Sequence, residues 1–260
     1  MAYALITGSN KGIGKYIAIE LAAKGYDLLL VARNENDLAT VAKEITGQYK
    51  VKVAYLSSDL SKADAAKNVY DWCVRENYLP AIQVLVNNAG YGVSGLFMNH
   101  DIAAHTAMMQ VNMQALVEMC YYFIPHLQKQ SQAYLLNIAS SAAYQAVPYL
   151  SAYAASKAFV LNFSRGLRYE LKNTSVSVTC VSPGSTDTAF AERAGVNSPK
   201  AVKMAAKVNM TPEVVAQMAV KAMFAKKTEL ITGWLNKLTV FFVGLMPKKF
   251  VEKTAAGIYE

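Results

Sequence analysis

Thr7-Gly8-Ser9-Asn10-Lys11-Gly12-Ile13-Gly14 follows the apolar run Ala2-Tyr3-Ala4-Leu5-Ile6 and precedes an amphipathic segment from Lys15 to Lys24. Read outward from its glycines, this is strand, tight turn, helix. Gly8, Gly12 and Gly14 carry no side chain to hold a ligand off the backbone. The helix behind them offers free N–H groups and the positive end of its dipole, an arrangement suited to a diphosphate. Ser9, Lys11 and Ile13 belong to the same turn, so the candidate cofactor contacts begin with Gly8, Ser9, Lys11, Gly12, Ile13 and Gly14.

The alternation continues along the chain. Leu28–Ala32, Val51–Leu56, Ile82–Val86, Tyr134–Ala139, Val176–Val181 and Glu229–Thr232 read as further buried strands. Helical segments run from Glu35 to Gly47, from near Ala63, from Asp101 to Gln130, from Ser151 onward and from Val214 to Phe224. Strands alternating with helices predict an α/β fold: one doubly wound parallel sheet of about seven strands, with helices on both faces. No linker, repeat or low-complexity stretch divides the chain. Residues 1–233 are read as one domain, with a substrate lid at about 188–211, and residues 234–260 as an amphipathic extension of that domain.

Composition bounds the function. At 260 residues, with 53% hydrophobic and 17% charged residues, the chain has the makings of a large core, and disorder is excluded. The net charge of +8 is spread over helical segments and shows no basic run with interleaved aromatics, so nucleic-acid binding is not expected. Cys73, Cys120 and Cys180 lie far apart in apolar runs and lack metal-ligand spacing. They predict buried free thiols, hence a reducing, cytoplasmic setting, and no secretory signal is visible at the start.

In such a sheet, ligands lie across the carboxyl ends of the strands. About 20 residues past the glycines, where an acid would hold an adenosine ribose, stands Arg33. With Lys11 it predicts a pair of cations around a 2′-phosphate, and so NADP(H) in preference to NAD(H). Glu35 comes two residues too late for the ribose place. Asp59 and Leu60 follow the third strand, where an adenine would sit, although Asp59 or Ser61 could equally cap the next helix. Asn87-Asn88-Ala89-Gly90 ends the fourth strand, and Pro183-Gly184-Ser185-Thr186-Asp187-Thr188 ends the sixth.

Tyr153 and Lys157 are four apart on one predicted helix, one turn from each other on the same side. An ammonium beside the phenol favours phenolate, and so brings a group that ordinarily titrates near pH ~10 toward useful acid–base work. Ser140, at the end of the fifth strand, offers a hydroxyl to the same substrate oxygen. Asn112 lies inside an apolar helix, a costly place unless it is hydrogen-bonded.

Taken together, Thr7-Gly8-x-x-x-Gly12-x-Gly14, Asn87-Asn88-Ala89-Gly90, Asn112, Ser140, Tyr153-x-x-x-Lys157 and Pro183-Gly184 with Thr188 resemble the classical short-chain dehydrogenase/reductase family. The resemblance spans Ala2 to Thr232 and implies a Rossmann-type fold. It implies that Tyr153 exchanges a proton with substrate, that Ser140 orients the carbonyl oxygen, and that Lys157 binds the nicotinamide ribose and lowers the Tyr153 pKa. Asn112 would support a water-linked proton relay. Asp59, Leu60, Asn88, Ala89, Gly90, Tyr153, Lys157, Pro183, Gly184, Thr186 and Thr188 join the cofactor contacts, and Lys11 with Arg33 match the NADP-preferring branch. Ser141 competes with Ser140, but the spacing to Tyr153 favours Ser140.

The family uses no catalytic metal, and His100, His105 and His126 form no ligand motif. A homodimer or homotetramer is implied through the helices that carry Asn112 and Tyr153. The expected activity is reduction of a carbonyl with NADP(H), or its reverse, on an apolar substrate. Phe97, Met98, Phe190 and Met204 hint at an apolar pocket, and would serve equally well as ordinary core. The alternative is a cofactor-binding regulatory or scaffold protein that does not turn over. In the tail, Trp234, Leu235, Leu238, Phe241, Phe242, Leu245 and Met246 recur at helical spacing, followed by Pro247-Lys248-Lys249. That stretch is too short to span a bilayer, and it is read as packing on its own domain, on a neighbouring subunit, or on a membrane surface through residues 234–250.

Overall fold

Asp27-Leu28-Leu29-Leu30-Val31-Ala32 is buried at every position, which is what a strand covered on both faces requires. It is β2 of seven parallel strands: β1 (Tyr3–Thr7), β2 (Asp27–Ala32), β3 (Val53–Ser57), β4 (Ile82–Asn87), β5 (Ala133–Ile138), β6 (Val176–Ser182) and β7 (Glu229–Ile231). They pair in the order β3-β2-β1-β4-β5-β6-β7. The computed structural model describes residues 2–186, 190, 194–196, 198–201, 203 and 209–259.

Alternate strand residues feed two cores. Leu5, Leu29, Val31, Leu85 and Leu135 meet Trp72, Met119, Phe123 and Val160 from α3 (Ala65–Arg75), α5 (Ala115–Leu127) and α6 (Ser151–Glu170). Ala4, Ile6, Leu28, Leu30 and Val86 meet Ile17, Leu21, Leu38, Ile45 and Met223 on the other face. These come from α1 (Gly12–Ala22), α2 (Glu35–Gln48) and α7 (Pro212–Phe224). Each fully buried Leu or Ile contributes roughly 1.5–3 kcal/mol of transfer free energy, so both faces of the sheet are firmly held.

Two elements differ from the sequence reading. The long helix expected from Asp101 to Gln130 is interrupted: α4 (Ile102–Met109) passes through a π-helical turn, Gln110–Gln114, before α5 begins. In the tail, the apolar stretch read at helical spacing from Trp234 to Met246 is α8 (Trp234–Leu245), and a further helix that the sequence reading lacks, α9 (Lys248–Tyr259), follows it. No residue of α8 is buried, whereas α9 buries Val251 and Ala255, four apart on one face.

The winding β1-β2-β3 runs one way from β1, and the chain then crosses to β4 on the other side. Outside the carboxyl ends of β1 and β4 this reversal opens a crevice, the place where doubly wound sheets take their ligands.

Candidate active site

The crevice is a cleft of about 550 Å³. Its walls are the segments that leave the carboxyl ends of the strands: Gly8, Asn10–Ile13, Arg33, Asp59–Leu60, Asn88–Tyr91, Ser140 and Pro183–Thr186, joined by Tyr153 and Lys157 of α6.

At one end, Gly8 and Gly12 have φ of +67° and +57°, left-handed conformations that a side chain would strain. A β-carbon at Gly14 would run into the Gly8 carbonyl and the Asn88 amide. Asn88 fastens this turn to the end of β4: its side-chain amide donates to the carbonyls of Thr7 and Gly8, both at 3.0 Å. Thr7 Oγ1 accepts the backbone N–H groups of Asn88 and Ala89 at 3.1 Å. Ser9 is fully buried and donates to the Val31 carbonyl at 3.4 Å. Ser9 and Gly14 are also expected as cofactor contacts; here the Ser9 hydroxyl bonds the end of β2 and Gly14 packs under Gly8. Neither is on the cleft wall.

Lys11 and Arg33 are exposed and line this end together. Asp59 is not the cap of α3; its Oδ1 accepts from Ser61 N at 3.1 Å and Ser61 Oγ at 2.9 Å. Burial pushes its carboxyl up, but those bonds and the charges of Arg33 and Lys62 hold it below the usual carboxylate range. Leu60 is buried beside Ala89 and Val111 and forms an apolar patch of wall.

At the other end, the Ser140 hydroxyl lies near enough to the Tyr153 phenol to favour its ionisation, and it accepts the Ala142 N–H at 3.1 Å. Ser141 also faces the cleft, while its backbone N–H ties the end of β5 to Pro183 O at 2.8 Å. Asn112, in the π-helical turn, is 1% exposed; its amide donates to Tyr91 O and Ser156 Oγ, each at 3.0 Å, and its carbonyl accepts from Tyr91 N at 3.1 Å. Gly90 passes beside Asn112 and Lys157, and a β-carbon there would lie 3.1 Å from Asn112 Oδ1 and from Lys157 Nζ.

Lys157 does not act as expected on Tyr153 in this structure. Its ammonium donates to Ile138 O at 2.9 Å and stands 6.0 Å from the centroid of the Tyr153 ring. Burial pushes the phenol up to about 12, with Ser140 only partly offsetting it and Tyr259 adding to it. Burial also brings Lys157 down to about 8. Desolvation thus outweighs the attraction assumed from the four-residue spacing.

Pro183, Gly184 and Thr186 line the cleft, and Thr186 Oγ1 donates to Gly184 O at 3.1 Å. Thr188, Asp187, Met204 and much of the expected lid lie outside the described residues. Of the aromatic and Met residues expected around the pocket, Phe190 lines it, with its ring 5.1 Å from that of Tyr153. Phe97 and Met98 are instead 52% and 86% exposed and are not on the wall. Sequence reasoning missed Tyr91, Leu150, Val196 and Tyr259, all on the wall. Three come from loops and one from the final turn of α9, and none carries a local signal.

These residues fit a nicotinamide dinucleotide. The turn that only glycines can occupy stands at the cationic end, and the Ser140–Tyr153 pair at the other. Residues 2–199 match the model of the short chain dehydrogenases. The chain belongs to that family. As a member it is an oxidoreductase that acts on hydroxyl or keto groups.

A 7beta-hydroxysteroid dehydrogenase of Clostridium sardiniense is 29% identical over 235 residues, 90% of this chain and 87% of that one. A short-chain dehydrogenase from Sphingobium yanoikuyae, solved with NADPH, is 28% identical, with a TM-score of 0.81 and 95% of both chains covered. A Burkholderia phymatum member of the same fold, solved with NAD, is 21% identical with a TM-score of 0.83 and covers 94% of this chain and 93% of that one.

Proposed function

We propose that this short-chain dehydrogenase transfers hydride between NADP(H) and a carbonyl or secondary alcohol, working as a ketoreductase on an apolar substrate. The observation that carries the reading is the polarity of one continuous cleft: Lys11 and Arg33 at one end, Ser140 and Tyr153 among Leu150, Phe190 and Val196 at the other.

When bound, the nicotinamide supplies hydride to the carbonyl carbon or takes it back from the alcohol. The chain supplies the rest. Lys11 and Arg33 hold the 2′-phosphate, the Gly8–Gly12 turn the diphosphate, and Lys157 the nicotinamide ribose. Ser140 and Tyr153 converge on the substrate oxygen, and Tyr153 gives that oxygen its proton. With its phenol pushed up to about 12, Tyr153 stays protonated at neutral pH and is a ready donor. The phenolate left behind is then reprotonated through water held near Asn112, which fixes the Tyr91 backbone beside it. Removing water from around these groups strengthens each interaction, and positioning both reactants supplies much of the rate.

Fluorescence titration with NADPH and NADH, followed by a panel of ketones, tests this reading. Tight NADPH binding with turnover supports it; tight binding with no oxidation across the panel would establish the cofactor-binding scaffold instead. Exposed Tyr121 on α5 and Phe159 and Tyr169 on α6 support a homodimer or homotetramer built on those helices. The three buried free thiols are in keeping with a cytoplasmic enzyme.

A second reading, in which the enzyme works at a membrane surface, is favoured by α8. Trp234, Phe241, Phe242 and Leu245 are 68%, 61%, 52% and 69% exposed along one stripe, and exposed Lys237, Lys248 and Lys249 flank it. Among the described residues no helix is long and apolar enough to cross a membrane, so contact would be interfacial. Co-sedimentation with anionic liposomes that survives deletion of residues 234–260 would sink this reading.

A further inference from the structure

We propose that Tyr259 is the substrate-side wall of the cleft and sets how large a ketone can reach Tyr153. The inference rests on the ketoreductase reading and deepens it.

Tyr259 is brought to the active site by a helix that starts far from it. Lys248–Tyr259 is amphipathic, with Val251 and Ala255 buried four residues apart, and one more turn carries that face to Tyr259. The last turn is held at its end as well. Ser198 Oγ donates to Ile258 O at 2.7 Å, which links α9 to the segment that follows β6. The ring of Tyr259 packs against the cluster of Met108, Val147, Leu150, Tyr153 and Ala154, with Phe190 beside it. It is on the cleft wall and close enough to Tyr153 to disfavour its phenolate. Burial raises the Tyr259 phenol too, so the wall is uncharged at neutral pH.

The position of this ring separates its role from those of the groups already described. Lys11, Arg33 and the Gly8–Gly12 turn are at the cationic end. Tyr259 stands at the other end, packed on Met108, Val147, Leu150 and Ala154 beside the Tyr153 ring. An aromatic ring there excludes water from around Tyr153 and occupies volume that a larger ketone needs. Its removal therefore acts on substrate size and leaves cofactor affinity alone.

The test compares wild type, Tyr259→Phe and Tyr259→Ala with cyclohexanone and benzophenone, reading kcat and KM with NADPH and ketone binding to the NADP+-loaded protein by calorimetry. Tyr259→Ala is expected to raise the benzophenone-to-cyclohexanone ratio of kcat/KM at least fivefold, mostly through KM, with NADPH affinity within twofold of wild type. Tyr259→Phe should keep the wild-type ratio, since it keeps the ring. Wild type that takes both ketones, with a ratio unchanged in Tyr259→Ala, overturns the assignment alone. Wild type that neither binds nor reduces a ketone removes the carbonyl reading, and this assignment with it. A Tyr259→Ala protein whose NADPH affinity collapses would place Tyr259 in the cofactor site or the fold and overturn the wall.

Discussion

The Lys157 ammonium and the Ile138 carbonyl, 2.9 Å apart, join the middle of α6 to the end of β5. This bond commits the ammonium to the sheet edge, where Gly90 leaves room for it, 6.0 Å from the centroid of the Tyr153 ring. Burial lowers Lys157 to about 8 from an ordinary 10.5. The unfolded chain therefore binds this proton more tightly than the folded one, so the folded state is penalised below pH 8 and the penalty fades as pH rises toward the ordinary lysine value. Cys73, Cys120 and Cys180, pushed up to about 12 from 9.0, act in the opposite sense and lose stability above pH 9. The readable quantity is thus the difference between wild type and Lys157→Met in urea unfolding. Wild type should gain on the variant between pH 8 and 10; parallel curves would show that Lys157 titrates normally.

Tyr153→Phe removes the proton donor and leaves the ring that packs against Leu150 and Phe190. Turnover should fall by about 10²–10⁴-fold, the usual worth of a positioned acid or base. NADPH affinity and unfolding midpoint should stay near wild type. Retained turnover would take Tyr153 out of the chemistry.

Asn112→Ala strands three hydrogen bonds at once, two to the Tyr91 backbone and one to Ser156, at a side chain that is 1% exposed. Taking the amide away from the buried Ser156 hydroxyl and the Tyr91 backbone should cost about 1–3 kcal/mol in chemical denaturation. It should also lower turnover, because Tyr91 then loses its hold at the cleft wall. Stability equal to wild type would mean that water replaces the amide.

How much of this was legible in the sequence depends on how local each cause is. The run Leu28–Ala32 announces a strand buried on both faces, because every residue in it is apolar. The glycines at 8 and 12 announce a left-handed turn, because only glycine occupies it without strain. The π-helical turn at Asn112 was not legible: Gln110 to Gln114 differ little from their helical neighbours, and the extra residue is fitted where Asn112 reaches Tyr91. The turning of Lys157 toward Ile138 was hidden for the same reason, since four-residue spacing gives the helix face and says nothing of what that face meets. Tyr259 is the extreme case. Its place beside Tyr153 is decided by the packing of Val251 and Ala255, at the far end of the chain.

Two glycine substitutions should part in sign. Gly14→Ala puts a β-carbon against Gly8 O and the Asn88 amide, and should weaken NADPH binding at least tenfold or unfold the turn. Gly166→Ala, in α6 with nothing within 4 Å of the added carbon, should stabilise by about 0.5–1 kcal/mol. Thermal melts with and without NADPH measure both. A Gly14→Ala protein that binds NADPH as wild type does would show that the turn has slack.

The cofactor preference comes down to Arg33 and Lys11, both exposed on the wall at the glycine end of the cleft. An arginine presents a planar fork that pairs with a phosphate through two hydrogen bonds, and it keeps its charge at any working pH. Asp59, the nearest acid on that wall, is occupied by Ser61, so it offers little competition for a ribose hydroxyl. NADPH should therefore bind more tightly than NADH, and Arg33→Ala should remove most of the difference by weakening NADPH at least tenfold while leaving NADH within threefold. The preference should also shrink with added salt, because the cations are in solvent and screened. Equal affinity for the two cofactors in wild type, or a preference that survives Arg33→Ala with Lys11→Ala, would mean that neither cation meets the 2′-phosphate, and the biological direction would then shift toward NAD-linked oxidation.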